Sequence, residues 1–207
     1  MNAHTHRLQR GLTLAELLIA STIGILVIGG AIAVFSANQT VGRTTEQYQL
    51  AQDDFRYVSQ IITRVARDGV NFTGTNASTL VVQYSAGIPE DEDIGLRNCL
   101  GAPPAPGEIN EFALTQQDGA WALLCKVGDQ GPQVLMERLV GNGFTVELLR
   151  PSTESVSLGS LIEASSAEAS SVQVTIQMRR PNSPNDLQAR FVATMRCRVL
   201  GCPATSP

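Results

Sequence analysis

Few residues in this chain have side chains that can do chemistry, and the one that most needs explaining is Glu16. It is the single acid in an apolar run that follows Gly11 and ends near Phe35, in the order Arg10-Gly11-Leu12-Thr13-Leu14-Ala15-Glu16. A carboxylate inside a membrane-length helix costs on the order of 2.5–3.5 kcal/mol, so it needs a partner or a task. A position near a helix N-terminus also favours an acid. Four cysteines come next: Cys99, Cys125, Cys197 and Cys202, all beyond the apolar run. Four cysteines allow three pairings. Cys99–Cys125 and Cys197–Cys202 are favoured, because each pair is close in sequence and flanked by loop or strand residues. A zinc site would need Cys-x-x-Cys or Cys/His spacing, and neither is present. Glu90-Asp-Glu-Asp93 offers carboxylates to calcium but lacks the spaced ligands of a calcium loop, and reads as a solvated surface. Gly141-Asn-Gly143 reads as a turn signal rather than a phosphate loop. Trp121 reads as core, and Arg179-Arg180 as a small basic spot at a strand end.

The elements that hold these residues can be read from periodicity. The run after Gly11 is long enough to cross a bilayer as a helix, and in lipid its backbone must satisfy itself. Gly24, Gly29 and Gly30 interrupt it; they permit close helix approach or local unwinding. From Ser36 the chain turns polar but keeps helical spacing. Ala51, Phe55, Val58, Ile62 and Val65 fall on one face. No proline occurs before Pro89. One continuous helix is therefore expected from Leu12 to Arg67, roughly 80 Å long, with Asp68-Gly69 as its stop. Its first half must be buried by lipid or by other subunits, and its second half docks on a sheet.

The remainder predicts short strands and loops. Strands are expected at 79–84, 112–115, 121–127, 134–136 and 144–149, with Gln116-Gln-Asp-Gly119 as a hairpin turn. Residues 171–178 alternate strictly and residues 190–199 are extended in character. The stretch Arg180–Asp186 between them is turn chemistry, which predicts an antiparallel hairpin. Gly87–Gly107 and Ser152–Ser171 read as loops, the second with a helical turn within Leu158–Ala169. The fold class expected is α+β: a long N-terminal helix packed on an antiparallel sheet.

Composition bounds the compartment. The chain has 207 residues, 16% charged, with a net charge of −4. That length suits one domain plus an anchor. Residues 1–11 contain Arg7 and Arg10 and no acid; without them 13 basic side chains face 19 acidic ones, a charge of −6. An acidic domain argues against binding the phosphate backbone of nucleic acid, which is not expected as a partner. The basic N-terminus stays on the cytoplasmic side and the rest lies across the membrane. An even cysteine count in an exported domain favours disulfides.

Gly11 followed by Leu-Thr-Leu-x-Glu resembles the class III leader of type IV pilins and of type II secretion pseudopilins. In detail the chain resembles PilW-type minor pilins, through the leader, the helix ending Thr63-Arg-Val-Ala-Arg-Asp68, and Asn98-Cys99-Leu100-Gly101 with Cys125 on a later strand. J-type pseudopilins of type II secretion have a similar leader and layout and are the alternative. The resemblance implies a type IV pilin-like fold with residues 1–11 as leader, 12–35 as the membrane and filament-core half of the helix, 36–68 as its amphipathic half and 69–207 as a periplasmic or extracellular domain. It implies cleavage after Gly11 by a prepilin peptidase and methylation of the new N-terminus, Leu12. It assigns Glu16 an assembly role against a subunit amine. Its implied partners are other minor pilins, the major pilin and an inner-membrane assembly platform. The implied setting is a Gram-negative inner membrane, then an extracellular pilus serving twitching motility, adhesion and DNA uptake. Removal of the leader takes away His4 and His6, the only histidines. Ser-His-Asp and Cys-His catalysis are then excluded, and neither enzymatic activity nor a cofactor is expected. Asn38, Asn71 and Asn76 begin Asn-x-Ser/Thr triplets, to which a bacterial source attaches no glycan.

Overall fold

The computed structural model describes residues 13–72, 74–89, 93–117, 119–151, 161–163, 165, 168–179 and 186–196. Gly11, Leu12, Cys197, Cys202 and Arg180 lie outside them. The chain divides into two compact units between Leu50 and Ala51. Helix α1, Leu14–Asp68, contributes to both.

Up to Leu50 the helix carries its apolar side chains exposed: Leu14, Leu17, Ile25, Leu26, Val34 and Phe35 among them. Part of α1 is long and apolar enough to cross a membrane, and none of that stretch is buried. From Ala51 onward the helix behaves differently. Ala51, Val58, Ile61, Ile62, Val65 and Ala66 are buried, and Phe55 is partly so. The stripe expected from sequence is therefore the buried face, widened by Ile61 and Ala66. The helix stops at Asp68, where Gly69 N–H still donates to Val65 O at 3.0 Å. Gly69 is not in the left-handed conformation usual for a helix-ending glycine. Its missing side chain makes room for Val82, whose Cγ1 a Cβ would overlap.

The sheet is antiparallel, in the order β1-β2-β3-β4-β6-β7, with β5 paired to β4. Its strands are β1 Thr79–Gln83, β2 Ile109–Gln117, β3 Ala120–Val127, β4 Gln133–Pro151, β5 Leu161–Glu163, β6 Ser171–Met178 and β7 Leu187–Thr194. The buried side chains of α1 join Phe72, Leu80, Phe112, Leu123 and Ile176 in one core. Strands β2 and β3 pair from Asn110↔Val127 to Gln117↔Ala120, and Gly119 between them takes the positive φ, 81°, that a tight hairpin turn asks of a glycine; Asp118 lies outside the described residues. The β6–β7 hairpin forms with Met178 opposite Leu187. Strand β7 therefore begins three residues before Arg190 and ends at Thr194, so Met195 and Arg196 of the expected strand lie beyond it, and residues 197–199 lie outside the described ones.

Two expectations are corrected. The strands expected at 134–136 and 144–149 are one strand, and Gly141-Asn-Gly143 is not a turn between them. It lies in a bulge of β4, where Leu139 pairs with Met178 and Phe144 with Ile176. The first part of β4 pairs with β3 and the second with β6. Gly143 is held where a Cβ would overlap Gln177 O, a backbone approach only glycine allows. The second concerns the loop expected at Ser152–Ser171: residues 161–163 form β5, paired with Leu149–Pro151, while the helical turn expected within Leu158–Ala169 lies just beyond it, where Glu168 N–H and Ala169 N–H both donate to Ser165 O, at 3.1 and 3.0 Å. Strand β5 gives the backbone groups of residues 161–163 partners on the rim of β4.

Candidate functional site

Glu16 sits in the first turn of α1, and Thr13 precedes that turn. One carboxylate oxygen, Oε2, accepts from Thr13 N–H at 3.0 Å and from Thr13 Oγ1 at 2.9 Å. Glu16 N–H lies 3.3 Å from Thr13 Oγ1 and donates to it. This is a capping box, in which the side chains of the first and fourth residues satisfy each other's backbone N–H groups. The helix start is thereby fixed without any other element. The sequence signal for it, Thr-x-x-Glu ahead of an apolar run, is present at residues 13–16, and a reading that weighs only the charge of Glu16 misses it. The other oxygen, Oε1, accepts no hydrogen bond among the described residues. The carboxylate is thus held in place by one oxygen and open at the other, on an exposed turn. Such a group can accept an amine or hydroxyl from outside the chain without releasing its cap. Gly11 and Leu12, the expected cleavage and methylation residues, lie outside the described residues.

Further along, a Cβ added at Gly24, Gly29 or Gly30 would meet nothing within 4 Å. Among the described residues no contact requires these glycines. Hydroxyls in the same helix bond back to its carbonyls, as Ser21 to Leu18 O at 2.9 Å and Thr22 to Ile19 O at 2.8 Å. The apolar exterior is thus not broken by unsatisfied hydroxyls.

In the globular unit, Cys99 and Cys125 are joined as a disulfide with a Cα–Cα distance of 6.4 Å. Both are buried, and their bond excludes a zinc site at this pair. Cys197 and Cys202 lie outside the described residues. The neighbouring Asn98 organises the loop. Its Oδ1 accepts from Leu100 N–H at 3.1 Å and Ala102 N–H at 3.0 Å, and its Nδ2 donates to Glu108 Oε1 at 3.0 Å. Asn98 O accepts from Arg64 Nη2 of α1 at 3.2 Å, and Cys99 N–H donates to Asn110 Oδ1 at 2.9 Å. Tyr84 O–H donates to Arg97 O at 2.7 Å; burial first and the charge of Asp68 second push its phenol well above the usual range.

Asp93, part of the acidic run, is held by both oxygens in the fork of Arg97, at 2.6 and 2.7 Å. Hydrogen bonds from Arg97 and from Gly95 N–H bring its pKa down to about 2. Its carboxylate is thus committed to a guanidinium. Among the described residues no three acids, histidines or cysteines stand close enough to hold a metal. Trp121 is half-buried and lies over Gly141, whose added Cβ would be 3.3 Å from its Nε1. Arg179 is exposed, and its N–H donates to Arg138 O at 2.8 Å. No protein-family model matches the chain, and no curated protein or solved structure matches it.

Proposed function

We propose that this chain is a structural minor pilin, with a type IV pilin-like fold, that joins a type IV pilus near its tip and helps to start its assembly. The observation that carries this reading is the contrast along α1. Its first half begins with a capped, half-open carboxylate and exposes its leucine, isoleucine and valine side chains, while its second half buries one face in the domain's core. A helix of that kind suits a subunit stored in the inner membrane and then packed against other subunits. In this reading the leader is cut after Gly11 by a prepilin peptidase, Leu12 becomes the methylated N-terminus, and the free oxygen of Glu16 meets an amine of a neighbouring subunit. Gly24, Gly29 and Gly30 then serve close approach between helices of different subunits. The partners are other minor pilins, the major pilin and the assembly platform. The chain's work is architectural rather than enzymatic.

Deletion of the gene tests the reading. Loss of surface pili and of twitching, with secreted proteins unchanged, supports it. Loss of exoprotein secretion with normal pili would move the chain to the J-type pseudopilins. Mass spectrometry of assembled filaments should find a methylated N-terminus at Leu12; Met1 still attached would remove the leader from the account. Glu16→Ala should give a processed, membrane-held protein that recovers fewer partner subunits on co-purification from the same membranes, and equal recovery would leave Glu16 without an assembly role.

A further inference from the structure

The two outer strands of the sheet are finished in opposite ways. Tyr84 N–H donates to Glu108 O in the β1–β2 ladder, so by antiparallel alternation Thr79, Val81 and Gln83 aim their backbone groups away from β2. Every one of those groups is taken. Thr79 exchanges bonds with Asn76, at 2.9 and 3.3 Å. Gln83 N–H donates to Asn71 O at 3.0 Å, and Gln83 O accepts from Val70 N–H at 2.8 Å. At Val81 a side chain does the work that backbone does on either side: Thr75 Oγ1 both accepts from its N–H, at 2.9 Å, and donates to its carbonyl, at 3.0 Å. A single hydroxyl completes the edge.

Strand β7 has no such cover among the described residues. Met195 N–H donates to Ser170 O, and with the register Ser171↔Thr194 to Met178↔Leu187 the same alternation points the backbone groups of Gln188, Arg190, Val192 and Thr194 outward. The strand is eight residues long, without proline or bulge, and Arg190 is its one charge. These are the devices by which edges are normally blunted, and only the arginine is present. Leu187, Ala189 and Phe191 on its other face are only half-buried. Among the described residues Arg190 has no acidic partner.

We propose that the outer edge of β7 is a docking site for an extended segment of a partner protein, added as one more strand, apolar on the face shared with Phe191 and bearing a carboxylate opposite Arg190. A second copy of β7 does not meet that requirement. Leu187–Thr194 contains no acid, so in any register self-pairing leaves both guanidinium groups without a counter-charge.

The test uses the full chain in detergent micelles with its disulfide intact, and two blocked heptapeptides as probes, Thr-Val-Glu-Val-Thr-Val-Thr and the same peptide with Lys in place of Glu. Amide exchange is read residue by residue. In the free chain the amides of Gln188, Arg190 and Val192 should exchange at least about tenfold faster than those of Ala189, Phe191 and Ala193. The Glu peptide should slow the first group about tenfold or more and the Lys peptide much less. Arg190→Glu should reverse that order, and Val192→Pro, which removes an outward N–H that β6 does not use, should block both peptides. Outward amides already slow in the free chain would mean that its own residues cover the edge and would overturn the proposal. So would no slowing by the Glu peptide, or equal slowing by both. Arg190→Glu keeps every backbone group, so it decides the matter even where Val192→Pro disturbs the hairpin.

Discussion

The two halves of α1 are one helix by backbone and two different objects by surface. Before Leu50 leucine, isoleucine and valine stand exposed on all sides; after Ala51 the same residue types occupy one face, and Val58, Ile62 and Val65 are fully buried. Helix formation therefore does not depend on the domain alone. The first half has a capping box, no proline and hydroxyls that bond back to its own carbonyls, and these satisfy its backbone locally. The second half is held by burial. The difference teaches that the apolar stretch of the first half is long enough to cross a membrane and is not used for burial against the described residues, while that of the second answers to the sheet.

The comparison breaks or sharpens most clearly with one substitution made twice. Ile62→Ala should lower the unfolding free energy of the domain by about 2–5 kcal/mol, as deletion of buried methyl groups does. Ile28→Ala, in the exposed half, should change it by less than about 0.5 kcal/mol. Urea unfolding in detergent, followed by Trp121 fluorescence, measures both; equal effects would mean that the two halves are buried alike. Next in size, removing Cys99 and Cys125 together as serines should cost about 3 kcal/mol in the same measurement, mainly by freeing the unfolded chain, while the exchange of amides before Leu50 stays unchanged. Thr13→Ala should weaken the first turn by about 1 kcal/mol, seen as faster exchange of its amides, with no change in the domain's unfolding. The smallest effect is at Asp93. Its pKa is depressed, so the Arg97 clamp is fully formed above the ordinary carboxylate range and is lost as pH falls through about 2. A carbon-shift titration should have its midpoint there; a midpoint at about 4 would show that the clamp does not form.

How much of this was legible depended on whether the signal was local. Ala51, Val58, Ile62 and Val65 repeat with the helical period, and Ser171–Met178 alternate with the strand period, so both elements are visible without partners. Gly141-Asn-Gly143 misleads because its composition is that of a turn, whereas its role is set by β4 changing partners from β3 to β6. Glycine there serves close approach to Gln177, which is remote in sequence. Strand β5 is three residues with no pattern of its own, and only Leu149–Pro151 make it a strand. The capping box at Thr13 and Glu16 was legible, because both partners lie within one turn.

The bond from Arg196 N–H to Arg67 O, 2.7 Å long, joins the exit of the last strand to the last turn of the helix. It bears on the order in which the chain folds. A helix end normally recruits a nearby residue for its free carbonyls; this one waits for a residue at the far end of the domain. The α1 terminus can form early, because its turns are local, yet its seal is among the last contacts available to a chain that emerges N-terminus first. Until residues near 196 are available, the domain stands with its first element formed and its end open, a state on which chaperones or proteases can act.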